Sequence, residues 1–209
     1  QTIQSKLLES SIPSALRDPQ MNWVGLTQRA RTIFYAEDRV DPKTLSTYEN
    51  LVDGEWKGRI CIRSSSNIYN QSLVASLIEV HGESFAESWA EGIVANMARK
   101  PTGGDTDQLR AVAAGQCDLA ISNTYYYGRL LDSERAEDKK VVNTVKVFWP
   151  NQGDRGVHVN ISGAAITKYA PNYDEAIKLL EFMVSDEVQA YYAKVNHEFP
   201  VVDSATVSA

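Results

Sequence analysis

The chain has 209 residues, 43% apolar and 23% charged, with a formal net charge of −6. That composition is ordinary for a globular protein with room for one large domain or two small ones. It carries no basic stripe, which argues against a nucleic-acid partner. No apolar run reaches the length of a membrane span, and no basic-then-apolar leader opens the chain.

Residues 1–10 place Ile3, Leu7 and Leu8 at helical spacing, followed by a loop marked by Pro13 and Pro19. Residues 23–27 lead into an expected strand over 28–35, whose alternation puts Arg29 and Arg31 on one face and Ala30 on the other. Residues 38–58 are polar and turn-rich, with one short helical piece near 46–51. A short strand at 58–63 runs into Ser64-Ser65-Ser66-Asn67, which supplies capping residues for a helix through 71–78. Gly82 is placed to end that helix as its C-terminal cap.

A second helix over 83–97 carries Phe85, Trp89, Ile93 and Met97 at spacings of three and four, and a third spans 107–114. Residues 130–140 read as charged and solvated. Extended runs at 141–149 and 157–166 follow, then two helices at 174–183 and 186–195. Strands alternating with helices predict an α/β fold with a largely parallel sheet. Cys61 and Cys117 lie in two different expected strands, so either a disulfide between neighbours or two buried thiols fits the sequence.

The stretch that calls for chemistry is Gly115-Gln116-Cys117-Asp118-Leu119-Ala120-Ile121-Ser122-Asn123-Thr124-Tyr125-Tyr126-Tyr127-Gly128. The three tyrosines stand at the exit of an expected strand, where a core claims at most every second ring, because successive side chains face opposite ways. The remaining phenols then face solvent, a cleft or a ligand. Hard cations prefer oxygen donors. A phenol is protonated near neutrality, with a pKa near ~10, and a highly charged ion displaces that proton. Tyr125 and Tyr126 are therefore candidate phenolate ligands for ferric iron. The histidines offer less: His158 reads as a packed residue, His81 and His197 as helix-end residues, and none has a partner at zinc-like spacing. Gly103-Gly104 lacks the lysine and hydroxyl of a phosphate loop and reads as a turn.

Four blocks carry a family resemblance: residues 23–31 (WVGLTQRAR), 63–72 (RSSSNIYNQS), 115–126 (GQCD through NTYY) and 150–163 (PNQG through GVHVNISG). Together and in this order they resemble the periplasmic ferric-ion-binding proteins of bacterial iron ABC transporters, in particular their cyanobacterial-type branch. The resemblance implies a type II periplasmic-binding-protein fold: two α/β lobes, a hinge near Tyr35 and Trp149, and metal in the cleft. On that template residues 1–35 are the end of the first lobe's opening segment and a hinge strand. Residues 36–145 form a complete second lobe, and 146–209 return to the first. The opening part of the first lobe, with the ligands it carries in many members, is missing from this sequence.

By resemblance, Tyr69, Tyr125 and Tyr126 are the metal ligands and Tyr127 is structural. Arg29, Ser64 and Asn67 are placed to hold a synergistic anion such as carbonate, or to balance charge. The implied function is a monomeric extracytoplasmic solute-binding protein. It captures Fe3+ in the periplasm, hands it to an inner-membrane ABC permease, and catalyses no reaction. The alternative within the same fold is a small organic ligand such as a polyamine or thiamine, with the tyrosines as stacking walls. An enzyme is disfavoured, since the chain has no Gly-x-Ser-x-Gly elbow, metal-binding histidine pair or nucleotide loop.

Overall fold

The computed structural model describes residues 1–205. The chain divides into two compact units, one of Gln1–Arg29 with the chain from Val159, the other of Ala30–His158. The long strand β1 (Val24–Ala36) gives its first residues to one unit and the rest to the other.

In the 30–158 unit the sheet order is β2 (Ile60–Cys61), β3 (Leu119–Asn123), β1, β4 (Val145–Phe148). β3 runs antiparallel to β1, from Arg31 opposite Asn123 to Tyr35 opposite Leu119. β4 is antiparallel on the other side, from Ile33 opposite Phe148 to Ala36 opposite Val145. Only β2 and β3 are parallel, pairing Ile60 with Leu119 and Cys61 with Ala120. The sheet is thus mixed, not largely parallel as the alternation of elements suggested. β2 and β3 are joined by a helical crossover of α2 (Ile68–His81), α3 (Glu83–Asn96) and α4 (Asp105–Ala113). Such a crossover is what parallel pairing requires. β1 is tied to neither neighbour by a βαβ unit.

Alternation along β1 and β3 divides the packing between two faces. Ile33, Tyr35, Leu119 and Ile121 join Tyr48, Trp56, Leu73, Leu77, Trp89 and Ile93 in one core. Phe34, Ala36 and Ala120 join Leu109, Val112, Leu130, Val141 and Val145 in the other. With both faces covered, these strands read as unbroken apolar runs. Cys61 and Cys117 form a disulfide; Cys117 lies in the turn before β3, not within the strand. Gly82, at φ 87°, closes α2 as its spacing predicts.

Two expectations fail here. The tyrosine run is not strand: β3 stops at Asn123 and α5 (Thr124–Leu131) begins at once. The segment read as solvated, with the start of the expected strand at 141, forms α6 (Ala136–Thr144), leaving β4 only four residues. Glu137 and Asp138 favour a helix start in the first turn of α6. Val141 buries on the α4 side, and Asp138 pairs with Arg110 at 2.8 Å.

In the other unit, β5 (Val159–Ala164) and β6 (Phe199–Pro200) pair with β1, β6 antiparallel through Thr27 and Gln28. Beside them α1 (Lys6–Ser11) and α7 (Tyr173–Met183) pack into a core built on Ile3, Leu8, Val24, Leu26, Ile166 and Leu180. The expected opening helix is shorter than 1–10: Ser5 caps it, and Leu7 is 47% exposed. α8 (Asp186–Asn196) is fastened by the fully buried Gln189, which donates to Leu26 O and Met183 O and accepts from Val201 N.

Candidate metal centre

Parallel neighbours deliver their following helices to the same edge of a sheet. β2 leads to α2 and β3 leads to α5, so each helix starts at the carboxyl end of its strand. Asn67 caps α2, its Oδ1 accepting from Tyr69 N at 3.0 Å. Tyr69 and Tyr125 are each the second residue of their helix. Their hydroxyls meet, Tyr125 Oη donating to Tyr69 Oη at 3.0 Å across 56 residues of sequence.

Tyr126 completes the cluster. Its ring lies 4.2 Å from that of Tyr125, centroid to centroid. Burial raises the pKa of the Tyr125 phenol, and hydrogen bonding and charge from Tyr126 and Tyr69 raise it further. Without a cation, then, Tyr125 keeps its proton. Two guanidinium groups face these rings: Arg63 lies 5.7 Å from the Tyr69 ring, and Arg129 lies 5.1 Å from Tyr125 and 5.9 Å from Tyr126. Each favours a phenolate once the proton has left.

Tyr127 turns away. It donates to Val145 O at 2.8 Å, and its ring lies 5.2 Å from Phe34. Burial, then the charge of Glu37, raises its pKa. His158 faces Ser72 Oγ at 3.0 Å; burial, then the charges of Arg31 and Arg155, brings it down to about 4. His81 is the last residue of α2 and pairs with Glu49, and His197 follows α8 at φ 58°. Among the described residues no group of three or more His, Cys, Asp or Glu is placed to hold a metal. The hard donors gathered in one place are phenols.

Of the residues expected at an anion, Ser64 is exposed and its Oγ lies 2.8 Å from Ser66 Oγ, while Asn67 spends its oxygen on the cap. Arg29 belongs to the other unit, where its Nη1 donates to Ser162 Oγ at 2.6 Å and its buried Nε has no hydrogen bond. Arg31 is no surface residue. It is fully buried and donates to Asn70, Asp105 and Asn123. Arg129 escaped the sequence reading because its place, three and four residues beyond Tyr126 and Tyr125, matters only on a helix.

The model of the bacterial extracellular solute-binding protein family SBP_bac_6 matches residues 3–209. Iron uptake protein A1 of Synechocystis sp. is 52% identical over 202 residues, 97% of this chain and 56% of that protein. The major ferric iron-binding protein of Neisseria meningitidis serogroup B is 31% identical over 182 residues, 86% of this chain and 53% of that protein. A Trichodesmium FutA structure in complex with iron and citrate superimposes with a TM-score of 0.96 at 52% identity, over all of this chain and 66% of that one. The Campylobacter jejuni ferric binding protein superimposes with a TM-score of 0.93 at 42% identity, over all of this chain and 66% of that one. The chain therefore spans just over half the length of the curated relatives it matches. With nearly every residue inside the family model and the fold shared with ferric-binding proteins, the chain belongs to the bacterial extracellular solute-binding proteins of type II fold.

Proposed function

We propose that this chain is part of a periplasmic solute-binding protein that captures ferric iron and delivers it to an ABC permease, without catalysing a reaction. The observation that carries the reading is the 3.0 Å contact between the hydroxyls of Tyr69 and Tyr125, at two helix starts on one sheet edge. Two buried or half-buried phenols sharing one hydrogen bond leave lone pairs that a cation can bridge. Tyr126 is the third ligand. A tripositive ion replaces the phenolic protons, so capture releases acid and is favoured by rising pH. In the empty state burial keeps the proton on Tyr125, which avoids a buried anion without a partner.

Arg63 and Arg129 offset the charge left by the phenolates. Ser64 and Asn67, in the turn that opens α2, serve a synergistic anion such as carbonate; Arg29, within its own unit, keeps an unpaired buried Nε and serves charge balance. The iron and ferric-iron names of the relatives support the same cargo.

The test is competition for ferric iron against a chelator of known affinity, with single Tyr→Phe variants. Tyr69→Phe, Tyr125→Phe and Tyr126→Phe each weaken iron binding by at least about tenfold, the worth of one lost charged contact. Tyr127→Phe leaves it unchanged. Equal affinities across all four variants would refute the ligand set.

A further inference from the structure

Within the 30–158 unit, residues of α2 and α3 line a half-open apolar pocket of about 500 Å³. Its apolar lining includes Leu73, Trp89 and Ile93, and Arg63, Arg99 and Lys100 are its charged lining residues. Among the described residues no acidic side chain lines it, although the chain as a whole carries a net charge of −6. Three cations over a hydrocarbon floor are an unusual local balance for such a chain.

The arginines are also incompletely used. Arg63 reaches Asp105 Oδ1 through Nη1, but only at 3.5 Å, and Asp105 is already held by Arg31 at 2.9 Å. Arg99 donates to Gln108 Oε1 through Nη2 at 3.0 Å. The Nε of each arginine is buried and makes no hydrogen bond. A buried donor without a partner costs free energy that an incoming acceptor recovers.

We propose that this pocket binds an amphipathic monocarboxylate, its alkyl body against Leu73, Trp89 and Ile93 and its head group on Arg63 and Arg99. The volume is in the range of small-ligand sites, which pair apolar walls with a few fixed polar groups. Guanidinium groups match a carboxylate in shape as well as charge, which favours an acid over a neutral lipid of the same length. The proposal does not rest on the ferric-iron reading, although Arg63 also faces the Tyr69 ring.

Isothermal titration of the chain with octanoate and with 1-octanol tests it. Octanoate is expected to bind at one site, at least about tenfold more tightly than the alcohol, as a charge-assisted contact implies. Arg99→Gln removes most of that preference. Val94→Glu places an acid at the pocket mouth on a residue already 65% exposed. That variant folds normally, and it weakens octanoate binding while leaving the alcohol unaffected. The proposal is overturned if octanoate gives no saturable heat, if the alcohol binds equally well, or if Val94→Glu binds octanoate as the parent does.

Discussion

Arg31 and Asp105 form an ion pair, Nη1 to Oδ2 at 2.9 Å, in which neither side chain has exposed surface. Around it Arg31 donates to Asn70 Oδ1 at 3.0 Å and Asn123 Oδ1 at 2.9 Å, and Asp105 accepts from Asn123 N at 2.9 Å. Asn70 is the neighbour of Tyr69, and Asn123 ends the strand that leads to Tyr125. The network thus fixes both helix starts. Breaking a buried pair strands a charge, so Asp105→Ala is expected to cost about 3–5 kcal/mol in denaturant unfolding. Asn70→Ala, which removes an acceptor but no charge, costs about 1–3 kcal/mol.

Glu49 sits where Asn151, Arg155 and His81 converge. Burial alone would raise its carboxyl, but hydrogen bonds from Asn151, Arg155, its own backbone and His81, in that order, outweigh it and bring the pKa down to about 2. A folded value below the unfolded one, near ~4.5, stabilises the fold above that pH, and the contribution is lost as pH falls toward 2. Glu49→Gln is therefore less stable than the parent at pH 7, by about 2 kcal/mol. The two converge near pH 2. Thermal melts from pH 7 down to 2 check both the sign and the window.

Gly92 decides between two opposed effects. Alanine is a better helix former than glycine by about 1 kcal/mol, and Gly92 lies inside α3. A Cβ there, however, would stand 2.6 Å from Val52 Cβ, an atom fixed to the backbone. Overpacking of this kind costs about 1–3 kcal/mol, so Gly92→Ala is expected to destabilise. Adding Val52→Gly should recover part of that loss, and a double-mutant cycle measures the coupling.

The Cys61–Cys117 bridge closes a loop with a sequence separation of 56. Loop entropy sets its contribution at about 4 kcal/mol. The Cys61→Ala, Cys117→Ala double variant should lose up to that amount under oxidising conditions and match the reduced parent otherwise. Urea unfolding with and without reductant separates these cases.

The helices were largely legible in the sequence: α2, α3, α4, α7 and α8 all lie within a few residues of the expected ranges, α3 by its apolar spacing and α2 by its capping residues. The sheet was not. Parallel or antiparallel pairing of β1 depends on where its neighbours enter, which periodicity does not record. Tyr125 was singled out on the wrong element: it opens α5 and does not extend β3. Three aromatic residues after an apolar run carry strand propensity, and tertiary packing of Leu130 and the docking of Tyr127 on Phe34 override it. Arg129 and the buried role of Arg31 followed only from the fold. Lone arginines have no pattern to read.

The most direct test is the visible spectrum of the chain titrated with ferric iron. Phenolate ligation predicts a charge-transfer band that saturates at one iron per chain, weakens sharply in Tyr125→Phe, and persists in Tyr127→Phe. A ligand that merely stacks on the rings would tolerate loss of one hydroxyl. A colourless titration with iron bound, or a band indifferent to Tyr125, would contradict the account.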